Sequence, residues 1–259
     1  MEIWEAAFLG AIQGLTEFLP VSSSGHLELA SFFLGIQEPS NLQFTMAVHG
    51  ATVLSTLVVF WGEIMQILKG VFRFKLNDET VFAVNILVSL VPILFVGLFF
   101  KDAIEGLFTS NIRLVGVMLC VTAVLLLFVN GRNKGVRKIT PKSAFIMGIA
   151  QAFAVLPGIS RSGATISTGL MMGLEPKATA KFSFLMVLVP IIGMNILELF
   201  KMEQAGASVG SVNLIVASLT AFITGVLACK WMIKLVQKGN FFYFGVYCLI
   251  MGMIAIVLS

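Results

Sequence analysis

The stretch GAIQGLTEFLPVSSSGHLE, residues 10–28, starts as an apolar helix and breaks off into a proline, three serines, a glycine and a histidine. The chain around it has 259 residues, 58% of them hydrophobic and only 12% charged, with a mean hydropathy of +0.99. A soluble domain carries about twice that charge, ~25%, and runs of ~20 apolar residues mark membrane spans. The chain therefore reads as an integral membrane protein, and the break falls within its apolar sequence. Backbone that leaves the helix at membrane depth survives only where protein or a water-filled cavity surrounds it. The stretch is read as the tip of a re-entrant hairpin.

A second stretch of the same kind, GIAQAFAVLPGISRSGATI (148–166), lies over the first with a constant offset of 138 and no gap. Gly10 falls on Gly148, Gln13 on Gln151, Ser22 on Ser160, Ser24 on Ser162, Gly25 on Gly163 and, further on, Gly35 on Gly173. The broken segments are about 3–35 and 143–174, and six unbroken ones follow them: roughly 44–61, 80–100, 112–130, 178–200, 211–235 and 241–258. Each half then holds one hairpin and three spans. A hairpin makes no net crossing and three is odd, so the second half enters from the opposite face. The expected fold is an all-α polytopic membrane protein with about six transmembrane helices, two re-entrant hairpins and an inverted-topology repeat. It forms one domain, 1–259, with unit one at 1–130 and unit two at 143–259, joined by a basic loop, 131–142.

Charge orients it. Arg132, Lys134, Arg137, Lys138 and Lys142 crowd that loop, and Lys69, Arg73, Lys75, Lys177, Lys181, Lys230, Lys234 and Lys238 fall on the same side. The opposite side has Lys101, Arg113 and Lys201. The positive-inside rule makes the first side cytoplasmic, so the first hairpin opens outward, the second inward, and their tips meet within the membrane. The net charge of +4 is a topology signal, not a nucleic-acid footprint. Cys120, Cys229 and Cys248 sit singly in apolar segments and read as small buried hydrophobes. The first ten residues have no basic n-region, so no cleavable signal peptide is expected.

The chemistry gathers at the breaks. Gln13 and Glu17 are four apart on one helix face, and an ionisable residue in such surroundings should face a cavity. Pro20 ends the helix. Ser22, Ser23, Ser24 and Gly25 then offer hydroxyls and free amides at the start of the next helix, a setting for an anion, beyond the single serine that capping needs. His26, beside Ser23 and Glu17, is a candidate base or nucleophile. In the second hairpin Ser160, Ser162, Gly163 and Thr165 repeat the design, with Arg161 in the place of Ser23. Its fork suits phosphate oxygens; the plainer role is a structural pair with Glu17. His49 could line the cavity or pack between helices, Glu28 and Glu198 fit an interface, and Asn85 and Asn195 fit bonds across helices. The sum suits a substrate with a concentrated anionic head and an apolar tail.

At these residues the sequence resembles the undecaprenyl-diphosphate phosphatases of the bacitracin-resistance type. Their Glu/Gln-x-x-x-Glu motif reads QGLTE (Gln13 to Glu17), their P-G-x-S-R-S-x-x-T motif reads PGISRSGAT (Pro157 to Thr165), and FLPVSSSGH matches their serine–histidine segment. The resemblance covers the whole chain. Lipid phosphatases of the acid-phosphatase type share an S-G-H, but the basic motif that precedes it there is absent. The resemblance implies removal of the terminal phosphate from undecaprenyl diphosphate, recycling the carrier for cell-wall synthesis and giving bacitracin resistance. It also implies a divalent cation, Mg²⁺ or Ca²⁺, at Glu17 and Gln13. Gln13 stands where many relatives have Glu, so the motif holds one carboxylate.

The expected mechanism has Arg161, the turn amides and the cation neutralising the diphosphate, with Gln13, Ser22, Ser24, Gly25, Ser160, Ser162, Gly163 and Thr165 around it. Ser23 attacks the terminal phosphorus with His26 as its base, and Glu17 places the cation or a water. The expected location is the bacterial inner membrane, with the site opening to the periplasmic side; a homodimer is compatible with the reading. The rival reading is a lipid-phosphate transporter or flippase, since inverted repeats with broken helices are transporter architecture. The Ser23, His26 and Glu17 cluster separates the two, because transport needs binding groups alone.

Overall fold

Prolines and glycines set where the helices stop. Pro20 disfavours a helical conformation at the residue before it, and the first helix accordingly ends at Phe18 with Leu19 extended. Thr140 caps the seventh helix, donating and accepting with Ser143 in a capping box, and Pro141 takes the first helical position. In the computed structural model residues 1–36, 42–100, 111–132, 134–202 and 211–259 are described, without the side chains of 42, 197–202 and 211. Lys101 lies outside the described residues, and the side chains of Glu198 and Lys201 outside the description.

The described residues form α1 (Ile3–Phe18), α2 (Ser23–Leu34), α3 (Leu42–Val59), α4 (Trp61–Val71), α5 (Asp78–Phe99), α6 (Ile112–Val129), α7 (Pro141–Phe153), α8 (Arg161–Met171), α9 (Pro176–Met202), α10 (Ser211–Lys238) and α11 (Phe242–Leu258). No strand occurs among them; Arg137 and Leu174 make an isolated bridge. The protein is an all-helical, multi-pass membrane protein. By length and apolarity α5, α6, α9 and α10 qualify as spans. The span expected at 44–61 is α3, which bends by 74° into α4. The last expected span is α11, with 17 residues.

The two broken segments are the helix pairs α1–α2 and α7–α8, and residues at the offset of 138 behave alike in them. α1 packs on α10 and α7 packs on α5. Gly10 allows the first approach, because a Cβ there would run into the Ala217 carbonyl and the Thr220 hydroxyl; its mate Gly148 allows the second, where a Cβ would run into the Ser89 carbonyl. Gly35 after α2 and Gly173 after α8 both take left-handed backbone, at φ +66° and +73°, which glycine adopts without a Cβ penalty.

The packing is inverted in polarity relative to a soluble domain. Leu87, Val91, Leu94, Phe95 and Leu98 of α5 face outward, while Gln13, Ser55, Thr56, Asn85, Gln151, Thr165 and Ser183 are buried. Asn85 donates at 3.3 Å to the Ile139 carbonyl, in the loop before α7 and not on a neighbouring helix. Asn195 does not leave its own helix: its amide donates to the Ile191 carbonyl at 2.9 Å. An i−4 carbonyl is always within reach, and it has captured the side chain.

Candidate active site

Two serine turns face each other at the centre of the bundle. Ser22 caps α2, its hydroxyl accepting from the Gly25 amide at 3.3 Å, with Ser24 Oγ 3.4 Å away. Ser160 caps α8 in the same way, accepting from the Gly163 amide at 3.0 Å with Ser162 Oγ at 3.3 Å. The turns touch through exchanged residues. A Cβ on Gly25 would meet Gly158 at 3.2 Å, and one on Gly163 would meet Pro20 at 3.4 Å. Pro20 and Gly158 are themselves 138 apart, so each turn presents the same two positions to the other. Ser162 Oγ adds a bond to the Leu19 carbonyl at 3.2 Å.

Glu17 occupies the centre of this contact. Its Oε2 accepts from Ser23 Oγ at 2.6 Å and from Gln13 Nε2 at 3.0 Å. Its Oε1 accepts from Arg161 Nη2 at 2.9 Å. The Glu17 side chain is 8% exposed and that of Arg161 25%, so the carboxylate is enclosed and the guanidinium reaches an opening. That opening is a narrow cavity between α3 and α9, lined among others by Thr52, Thr56, Ser162 and Ser183. Thr165 lies behind Arg161: its hydroxyl donates to the Arg161 carbonyl at 2.8 Å and sits 2.6 Å from Ser183 Oγ.

The structure thus brings Gln13, Glu17, Ser23 and Arg161 into one hydrogen-bonded group, flanked by Ser22, Ser24, Gly25, Ser160, Ser162, Gly163 and Thr165. His26 is not part of it. Its Nδ1 lies 2.8 Å from the Ser22 carbonyl and its Nε2 2.7 Å from Tyr247 Oη. Both ring nitrogens are engaged away from Ser23, and the group that touches the Ser23 hydroxyl is Glu17. The pairing of His26 with Ser23 as base is corrected accordingly: helical spacing brought the two residues to one end of α2, but not the ring to the hydroxyl.

Two residues enter that the motifs did not carry. His49 Nε2 lies 3.9 Å from Glu17 Oε2, and its Nδ1 is 2.9 Å from the Thr45 carbonyl. The signal was there: Thr45, His49, Thr52 and Thr56 form a polar stripe at spacings of four, three and four in an apolar helix. Thr122 of α6 holds the second turn, donating to the Gly158 carbonyl at 3.1 Å and accepting from the Ser160 amide at 3.1 Å. A lone threonine in an apolar span carries no such signal.

A divalent cation fits here in one form only. Among the described residues no cluster of three or more His, Cys, Asp or Glu could hold a metal. Gln13 Oε1 is buried without a hydrogen-bond partner, beside the Glu17 carboxylate. One amide oxygen and one carboxylate suit a hard cation such as Mg²⁺, which is usually held by one or two carboxylates, substrate phosphates and water.

A family model described as "Bacitracin resistance protein BacA" matches residues 6–254. The chain belongs to this family. Members of the family similar to it include a protein of Bacteroides thetaiotaomicron, 53% identical over 98% of this chain and 97% of the relative. Another, of Bacteroides fragilis, is 51% identical over 100% and 99%, and one of Parabacteroides distasonis is 49% identical over 99% and 98%. Each of these relatives is named undecaprenyl-diphosphatase.

Proposed function

We propose that the protein hydrolyses undecaprenyl diphosphate to undecaprenyl phosphate and inorganic phosphate, returning the lipid carrier to cell-wall synthesis and conferring bacitracin resistance. The observation that carries the chemistry is the line from Ser23 Oγ to Glu17 to Arg161, at 2.6 and 2.9 Å. A serine hydroxyl is a weak nucleophile without a base, and Glu17 Oε2 is within reach to take its proton. Ser23 Oγ attacks the terminal phosphorus, the bond to the bridging oxygen breaks, and undecaprenyl phosphate leaves. Water then attacks the phosphoserine, releasing phosphate and restoring the hydroxyl with the proton that Glu17 held. Arg161 grips the transferring oxygens, with the amides of the serine turns beside it. His49 lies next to the carboxylate, where it supports Glu17.

Gln13 and Glu17 would hold the divalent cation, which supplies charge neutralisation to the diphosphate. The identity of the lipid follows from the family, and the setting is the bacterial inner membrane with the site opening to the periplasmic side. The units 1–130 and 143–259 form the inverted repeat, a reading supported by the exchanged contacts of Gly25 with Gly158 and Gly163 with Pro20.

The test is phosphate release by the purified protein from a prenyl diphosphate in detergent, with and without chelator. Release that stops with chelator and returns with Mg²⁺ or Ca²⁺ is expected, as is acid-stable phosphoserine on rapid quench. Lipid movement in vesicles with no phosphate release would sink the phosphatase reading in favour of transport.

A further inference from the structure

The Ser22 backbone is at φ 73° and ψ 102°, a region that residues with a Cβ rarely enter. Such a conformation persists only where its surroundings over-determine it. The matching cap of the second hairpin, Ser160, sits at an ordinary φ of −75°. The first turn is therefore the strained one at its cap, and α11 supports it as Thr122 of α6 supports the second. A carbonyl can only accept, so His26 Nδ1 carries the proton and donates to Ser22 at 2.8 Å. That leaves a lone pair on Nε2, which accepts from the Tyr247 hydroxyl at 2.7 Å. The two rings stack at 5.4 Å with 17° between their planes. The neighbouring Cys248 lies 3.8 Å from the Pro20 carbonyl, so α11 reaches the turn at that carbonyl directly and at the Ser22 carbonyl through His26.

We propose that Tyr247 is a positioning residue for the reaction: acting through His26, it holds the Ser22 turn that aims Ser23 at Glu17. The inference rests on Ser23 being the nucleophile. Tyr247 and His26 lie in a large apolar cleft, lined also by Phe8, Leu15, Trp231 and Phe244, where little water is at hand to replace a lost hydroxyl. Without the hydroxyl the imidazole loses its fixed tautomer and orientation, the Ser22 carbonyl keeps only the His26 amide at 3.2 Å, and the turn relaxes toward ordinary backbone. Ser23 Oγ then swings from Glu17. Arg161 is untouched, so turnover falls while substrate binding holds.

The test measures phosphate release from a prenyl diphosphate by the full-length protein in detergent. Hydrogen bonds between membrane helices imply a three- to fifteen-fold fall in kcat for Tyr247→Phe, with KM within about twofold and the melting temperature nearly unchanged. His26→Asn keeps a donor near the Nδ1 position but no acceptor for Tyr247. It should turn over about as well as Tyr247→Phe, and combining the two should lower kcat no further. His26→Phe should fall well below both. Normal kcat in Tyr247→Phe, or losses that multiply in the double variant, would overturn the relay. So would His26→Asn as inactive as Ser23→Ala, which would return His26 to the chemistry. Ser23→Ala with near-normal turnover would instead overturn the nucleophile assignment, whatever Tyr247→Phe does.

Discussion

At the scale of single residues, Arg161 has two roles to reconcile. It is the ion-pair partner of an enclosed Glu17 at 2.9 Å, and among the described residues it is the one Lys or Arg that lines the cavity. A buried pair is weak evidence for stability; a planar fork beside a cavity is better suited to phosphate. Arg161→Lys keeps the charge and loses the fork. It should leave the fold intact and lower kcat/KM by roughly a hundredfold, the order seen when one preorganised donor is removed. Near-normal activity would leave Arg161 as a counter-ion for Glu17 and move the phosphate elsewhere. Most of this site was legible in the sequence, because membrane-depth glutamate, arginine and serine clusters are costly without a use. The direction of the His26 ring was not. Spacing along a helix says which residues share an end, whereas the partner that wins the ring, Tyr247, comes from the other end of the chain.

At the scale of elements, α1 and α7 reach their neighbours through glycine. A Cβ on Gly10 would collide with Ala217 and Thr220, and one on Gly148 with the Ser89 backbone. Neither backbone can move aside as a flexible side chain would. Gly10→Ala and Gly148→Ala should each destabilise the protein by ~1–3 kcal/mol, the cost of overpacking, and lower the melting temperature in detergent. Gly97→Ala, in α5 with open space around it, should be neutral or stabilising. If Gly10→Ala melts like Gly97→Ala, the α1–α10 approach is looser than described. The sequence showed these glycines as matched pairs without showing why they match. The reason lies in the packing: α1 lies on α10 and α7 on α5, each pair at a distance that leaves no room for a Cβ. The bend at Phe60, which turns α3 by 74° into α4, had no proline or glycine immediately before it to announce it.

At the scale of the whole molecule, the positive-inside rule predicts that the basic loop at 131–142 faces the cytoplasm. Gly135 is a poor place for a probe, since a Cβ there would run into the Leu174 carbonyl; Val136 is 85% exposed. In a background without Cys120, Cys229 and Cys248, a cysteine at Ser40, outside the described residues, should react with an impermeant thiol reagent on intact cells. One at Val136 should not. The reverse pattern would invert the protein and the side on which the site opens. By itself the sequence determined the membrane setting, the two broken segments, their relation by 138 residues and the cast of polar groups at their tips. Those follow from local physics: apolar length, proline breaks, and the penalty on charge in lipid. Only the tertiary structure decided which groups touch. It gave Ser23 to Glu17, turned His26 to Tyr247, and brought His49 and Thr122 to the turns from other helices. The last three depend on how α3, α6 and α11 pack around the hairpins, and among these distant partners His49 left a trace in the polar stripe of α3. Ser23 and Glu17, six residues apart, meet because the turn after Pro20 folds α2 back on α1.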